Sequence, residues 1–168
     1  MDAAFADFDL TDRESYARFL AAHADVVWAL EAALPGERVT DDWEGRKRGH
    51  LLREDLAHLR HPGFRPDDDI GAILALDSPE AIAGTLYVLE GSRLGGKFLA
   101  RRLPAGFPRA YLDSDQRAEK WQQLLSLIDR LLRSPAALET ATDAALATFA
   151  AFERSADKWR RVKIGDGQ

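Results

Sequence analysis

Few residues in this 168-residue chain are suited to metal binding or nucleophilic catalysis, because it has four histidines and no cysteine. His50, Glu54 and His58 recur at intervals of four, which places them along one side of a helix. At about 1.5 Å of rise per residue the two histidines stand about 12 Å apart, so they cannot share one metal ion. Their basic neighbours indicate a solvated face: Arg46, Lys47 and Arg53. The lack of cysteine excludes disulfides, thiolate metal sites and cysteine nucleophiles.

The other two histidines also suggest no ligand set. His23 lies among apolar residues of a predicted helix, which favours a structural role. His61 precedes a proline in a predicted loop and has no partner nearby in the sequence. We therefore predict no metal site built from protein side chains.

A run of glycines inside a predicted helix is the more informative feature. Gly84, Gly91, Gly95 and Gly96 interrupt the segment Gly84-Thr-Leu-Tyr-Val-Leu-Glu-Gly-Ser-Arg-Leu-Gly-Gly-Lys-Phe98. Each glycine costs a helix roughly 0.5–1 kcal/mol relative to alanine, so four need a compensating role. At helical spacing Tyr87 and three of the glycines (84, 91 and 95) share one face, which is nearly free of side chains. Either a flat ligand contacts this backbone, or Gly91-x-x-x-Gly95 lets another helix pack closely.

Helix signals dominate the elements that must position these residues. Thr11-x-x-Glu14 reads as a capping box, and the helix that it opens ends at Pro35-Gly36. A second helix is predicted from Asp42 to Arg60, followed by a loop over residues 64–77. Ser78-Pro79 opens the glycine helix, which is predicted to run to about Leu103.

The last part of the chain continues this helical pattern. Asp113 or Ser114 is the predicted cap of the next helix, and Ser134-Pro135 starts the final one. Residues 160–168 are polar and are predicted to form a frayed tail. Because we find no strand alternation, repeat or linker, we predict an all-α fold of about five main helices in a single domain.

Composition narrows the class of protein. The chain carries a formal net charge of -5 without a block of like charges, so no nucleic-acid-binding surface is expected. The acidic start lacks an apolar run of signal-peptide type, and no stretch approaches the length of a membrane span. We expect a soluble, cytoplasmic protein.

The glycine helix also carries a family resemblance. Leu86-Tyr-Val-Leu-Glu-Gly-Ser-Arg-Leu-Gly-Gly96 is very similar to the distal-helix signature of bacterial heme oxygenases, particularly those that accompany bacteriophytochromes. The segment from Asp7 to His23 resembles the second helix of that family, and the order of elements fits as far as Trp159. The resemblance covers nearly the whole chain and implies one heme oxygenase-like domain over residues 1–168, a helical bundle of the heme oxygenase type.

The resemblance implies roles for particular residues. In this family the glycine backbone of the distal helix approaches the heme, which is both cofactor and substrate. The distal wall would then consist of four residues: Gly91, Ser92, Gly95 and Gly96. Tyr87 and Gly84, on the same helix face, are expected to contact the heme. Arg154 and Lys158 on the last helix are candidates for binding its propionates.

One expected element of the family pattern is absent from the printed sequence. The family binds the heme iron through a histidine on its first helix, and Met1-Asp-Ala-Ala-Phe5 matches the residues that follow that histidine. Its position would precede Met1, so the resemblance implies that the segment with the proximal ligand is missing from this sequence. Either the start is truncated or misassigned, or the axial bond has been lost.

The resemblance therefore implies two alternative functions. The first is oxidation of heme to biliverdin, iron and carbon monoxide, with electrons from a separate ferredoxin or reductase and a bacteriophytochrome as a candidate partner. The second is a non-catalytic heme- or bilin-binding or interaction protein on the same fold. Two other branches of this architecture fit less well, since the thiaminase type needs a cysteine and we find no di-iron ligand set.

Overall fold

The structure is a computed structural model that describes residues 2–60, 76–114 and 117–162. Every regular element in these ranges is helical. Seven α-helices and one 3-10 turn, Gly36–Arg38, lie in these ranges. In chain order the helices are α1 (Asp2–Phe5), α2 (Arg13–Ala33), α3 (Trp43–Arg46), α4 (Gly49–His58), α5 (Pro79–Ala100), α6 (Ala118–Leu131) and α7 (Pro135–Arg161). The predicted all-α class is confirmed, and five of the helices are long.

Helix α2 supplies a large part of the buried hydrophobic core. Its N-cap is Asp12 rather than the predicted Thr11, because the Asp12 carboxylate accepts the backbone N–H of Ser15 at 2.7 Å. Helix α2 packs against α4 and α7, and its large apolar side chains are buried: Tyr16, Phe19, Leu20, Val26, Val27 and Leu30. Burial of these groups makes α2 a main source of the fold's stability.

The predicted helix from Asp42 to Arg60 is in fact two helices, α3 and α4. The chain is extended at Lys47, and the Glu31 carboxylate accepts the backbone N–H groups of Arg48 and Gly49 at 2.5 and 2.9 Å. A carboxylate at this position caps α4 from a neighbouring helix, which sequence periodicity does not reveal. His61 and most of the predicted loop lie outside the described residues.

The two Ser-Pro starts are confirmed. Ser78 caps α5 by accepting the N–H of Ala81 at 3.2 Å, and Ser134 caps α7 by accepting the N–H of Ala137 at 3.1 Å. Helix α5 ends at Ala100, three residues before the predicted Leu103. The N-cap of α6 is Arg117, so the prediction of Asp113 or Ser114 was wrong.

Helices α5 and α7 form the most extensive helix pair, and they approach each other closely at Gly84. A Cβ atom there would overlap the backbone carbonyl of Ala141. At the next residue of α5, the buried hydroxyl of Thr85 accepts from that of Thr148 on α7 at 3.3 Å. Gly84 therefore serves helix packing, through contact between two backbones. Within the described ranges no helix has both the length and the apolar character required to cross a bilayer.

His23 is part of the aromatic core. Its ring lies 4.3 Å from that of Phe5, 4.4 Å from that of Phe19 and 5.7 Å from those of Tyr111 and Phe152. Its Nδ1 lies 2.9 Å from the carbonyl oxygen of Phe19 and can donate to it. Burial lowers the pKa of His23 from 6.5 to about 4, so the imidazole is neutral at neutral pH.

Alanine substitutions at two glycines of α5 should change the free energy of unfolding in opposite directions. We expect Gly84→Ala to lower the free energy of unfolding by about 2 kcal/mol or more, because the new methyl group forces α5 away from α7. Gly95→Ala should raise it by about 0.5–1 kcal/mol, since no atom outside the helix lies within 4 Å of the new Cβ. Urea unfolding measures both variants. Equal stabilisation by both would contradict the close approach at Gly84.

The burial of His23 should make stability depend on pH. The unfolded chain binds a proton near pH 6.5 and the folded chain only near pH 4, so acidification across this interval favours unfolding. The loss from this group is expected to reach about 3 kcal/mol. His23→Gln should remove that part of the slope, and the exposed His58→Gln should retain it. Denaturant titrations at several pH values provide the measurement, and identical slopes in both variants would refute the assignment.

Candidate functional site

A cavity of about 490 Å³ lies beside the middle of α5. Its α5 side is formed by Tyr87, Val88, Gly91, Ser92, Leu94, Gly95, Gly96 and Leu99. Residues from other parts of the fold complete it: Phe5, Phe19, His23, Arg48, Tyr111, Leu112, Trp121 and Phe149. The volume lies within the usual range for small-molecule and cofactor sites.

The four glycines of α5 have different surroundings. At Gly95 no atom outside the helix lies within 4 Å of an added Cβ, and at Gly91 only Trp121 does, at 3.6 Å. At Gly96 an added Cβ would meet the Leu112 carbonyl at 2.9 Å, so this glycine admits a neighbouring backbone segment. Gly84 does not line the cavity. Gly84 packs against Ala141 of α7 instead, so its predicted heme contact has no support from the cavity, whereas Gly91 and Gly95 present open backbone to it.

Aromatic and aliphatic side chains continue the glycine surface towards solvent. Tyr87 is 46% exposed, and its ring lies 5.7 Å from that of Trp121. Leu94 and Phe98 on the same helix are 57% and 63% exposed. A bare helix backbone flanked by large apolar groups is suited to a flat, largely apolar ligand.

The two predicted propionate-binding cations lie elsewhere. Arg154 and Lys158 are exposed on α7 and do not line the cavity. The Lys158 ammonium lies 3.0 Å from the carboxylate of Asp25, which is fully buried and also accepts from Trp159 at 2.8 Å. Attraction to this buried charge accounts for the position of the Lys158 ammonium, and propionate binding by Arg154 and Lys158 stays a prediction.

Arg48 is a cavity residue that the sequence analysis missed. Its Nη2 donates to the carbonyl of Leu89 at 3.0 Å and to the hydroxyl of Ser92 at 2.9 Å. The Ser92 hydroxyl donates in turn to the Leu89 carbonyl at 2.7 Å. Two side-chain donors therefore reach one carbonyl of α5, just before Gly91. Arg48 and Ser92 fix the helix where its backbone is exposed to the cavity.

A buried ionic network contacts α5 at Glu90, which does not line the cavity. Glu90 is 2% exposed and accepts from Arg46 at 3.1 Å and from Arg93 at 3.2 Å. Arg46 also donates to Asp42 at 2.5 Å, and Arg93 donates to the backbone carbonyl of Arg46. Burial and repulsion from Arg48 lower the pKa of Arg93, while Glu90 opposes them. Arg46 is only 3% exposed, so the prediction of a solvated face was wrong for this residue.

Tyr111 borders the cavity from the segment between α5 and α6. The Asp55 carboxylate holds this segment by accepting the N–H groups of Ala110 and Tyr111 at 3.1 and 2.9 Å. The Tyr111 ring is 2% exposed, and the Arg48 guanidinium lies 4.7 Å from its centre. Burial raises the pKa of Tyr111, so its hydroxyl remains protonated. No sequence pattern pointed to Tyr111, because the segment that contains it lacks helical or strand periodicity.

The arrangement can hold a flat apolar ligand against helix backbone, with one cation on an inner wall. His23 also lines the cavity, and with the Nδ1 proton shared with Phe19 its Nε2 is the nitrogen with a free lone pair. Across the described ranges no group of three or more His, Asp or Glu side chains is placed to hold a metal ion.

Comparisons with known proteins identify relatives. No family model matches the chain. A heme oxygenase from Xanthomonas campestris pv. campestris is 33% identical over 150 residues, which cover 84% of this chain and 88% of that protein. The heme oxygenase PigA from Pseudomonas aeruginosa is 32% identical over 127 residues, 70% of this chain and 63% of that protein. With this identity and coverage, and with a glycine-walled cavity on α5, the chain belongs to the heme oxygenase family.

Proposed function

We propose that this protein is a heme oxygenase that opens heme oxidatively to biliverdin, iron and carbon monoxide. The observation that carries the proposal is the uncovered backbone of α5 at Gly91 and Gly95, which faces a cavity of about 490 Å³. Two relatives named heme oxygenase support it. Electrons would come from a separate ferredoxin or reductase in the cytoplasm, and a bacteriophytochrome is the candidate recipient of the biliverdin.

The cavity residues fit the heme body. Gly91 and Gly95 allow a planar ring to lie directly on the helix, since neither has a side chain between backbone and cavity. Tyr87, Trp121 and Phe149 supply apolar and aromatic contacts at the edges. When bound, heme supplies both the iron that activates dioxygen and the porphyrin that is oxidised.

The chain's own residues would direct this chemistry by keeping large side chains away from the face of the heme ring. Glycines leave room beside the ring that a larger side chain would occupy, and Ser92 places only a small hydroxyl there. That hydroxyl is already hydrogen-bonded to Leu89 and Arg48, so it is held in place and contributes no strong acid. A wall without a strong acid-base residue suits oxidation of the ring itself.

Heme binding and turnover test the proposal in sequence. Titration of the apoprotein with hemin should give a sharp Soret band, and ascorbate or a ferredoxin with its reductase should then replace it with a biliverdin band and release carbon monoxide. A stable Soret band without turnover would favour non-catalytic heme binding instead. A weak, broad spectrum that never sharpens would reject both.

Variants of the glycine wall test where the heme binds. Gly91→Leu and Gly95→Leu should each weaken hemin affinity by about ten-fold or more, because an isobutyl group occupies the space of the ring. Gly45→Leu is the matched control, since it adds the same group at an exposed helical glycine outside the cavity. Equal hemin affinity in all three variants, measured by Soret titration, would place the ligand elsewhere.

A further inference from the structure

The cavity wall formed by α4 contains a buried positive charge without a carboxylate partner. Arg48 is 5% exposed, and its two hydrogen-bond acceptors, the Leu89 carbonyl and the Ser92 hydroxyl, are uncharged. Among the described residues no carboxylate oxygen lies within 4.0 Å of its guanidinium. Buried charges are normally paired, because an isolated one loses its hydration without compensation. The site therefore favours an additional anion.

The charged neighbours of Arg48 form no ion pair with it within 4.0 Å, although the Glu31 carboxylate attracts it over a longer distance. Arg93 adds a second positive charge, although it is paired with Glu90. The Glu31 carboxylate is engaged by the backbone N–H groups of Arg48 and Gly49, and burial raises its pKa. His23 faces the same cavity as a neutral imidazole. The guanidinium thus remains the dominant charge on this wall.

Tyr111 offers a second donor beside Arg48. Its ring lies under the guanidinium, and both side chains line the cavity. Within the part of the chain that the structure describes, no residue hydrogen-bonds to the Tyr111 hydroxyl. Because that hydroxyl keeps its proton, it can donate to an anion held by Arg48.

We propose that Arg48 and Tyr111 form a subsite for one small monovalent oxygen anion from solution, such as formate or nitrate, inside the cavity. Leu89 and Ser92 occupy both hydrogens of Arg48 Nη2, so the Nε–H and Nη1–H groups and the Tyr111 hydroxyl are the donors left for the oxygens of such an ion. A free ion fits this wall better than a carboxylate of a large ligand. Arg48 is almost fully buried, whereas ionised groups of an amphiphilic ligand favour the solvent opening. The inference concerns the ligand-free protein and does not depend on the proposed function.

Titration of the ligand-free chain with ¹³C-labelled formate, followed by NMR line width, tests the subsite. Saturable broadening that unlabelled nitrate reverses is expected in the unmodified chain. Arg48→Met should weaken binding by about ten-fold or more, and Tyr111→Phe by about three-fold or more. Arg53→Met, the same change at an exposed residue of α4, should leave it unchanged.

The absence of saturable formate binding would overturn the proposal, as would unchanged affinity in Tyr111→Phe. Tyr111→Phe keeps the buried ring, so it decides the matter even if circular dichroism shows that Arg48→Met does not fold. Zinc protoporphyrin and its dimethyl ester separate the source of the anion. If Arg48→Lys weakens only the diacid and formate does not bind, Arg48 serves a ligand carboxylate and the proposal fails. Formate binding without porphyrin binding would support the subsite and contradict the proposed heme oxygenase function.

Discussion

The uncovered backbone of α5 is the constraint on which the rest of the structure depends. A helix with glycines at its centre is intrinsically weak, so packing on both sides of the bare stretch must hold it. On one side Gly84 brings α5 into backbone contact with α7. On the other, Gly96 admits the Leu112 carbonyl. Two glycines therefore strengthen tertiary contacts, and these contacts allow Gly91 and Gly95 to remain open to the cavity.

The polar interior of this protein is organised around the same helix. Glu90 faces away from the cavity and receives two arginines, while Arg48 reaches α5 at the cavity side. A buried ion pair contributes little net stability, but loss of one partner leaves an uncompensated charge, so such networks fix one arrangement of neighbouring elements. Arg46 and Arg48, at the junction of α3 and α4, thereby connect these two helices to the centre of α5.

The cavity and the family membership together define where chemistry is expected. The outer part of the cavity is apolar and aromatic, and its inner wall contains Arg48 and the protonated Tyr111. Lys158 of α7 takes part in a different interaction, because the buried Asp25 attracts it. A large flat ligand and a small anion would thus use different parts of one cavity.

The sequence by itself determined the helical class, both Ser-Pro helix starts and the glycine segment, because caps and periodicity are local signals. It also carried the family resemblance that the relatives confirm. Only the tertiary structure decided which glycines face a cavity and which face another backbone. Gly84 meets Ala141, which lies far along the chain, and Gly96 meets Leu112, which lies outside any periodic element. Likewise, the sequence predicted a solvated Arg46 and did not single out Arg48, and distant partners such as Glu90 and Leu89 make both interior. Contacts between residues more than forty positions apart leave no local pattern.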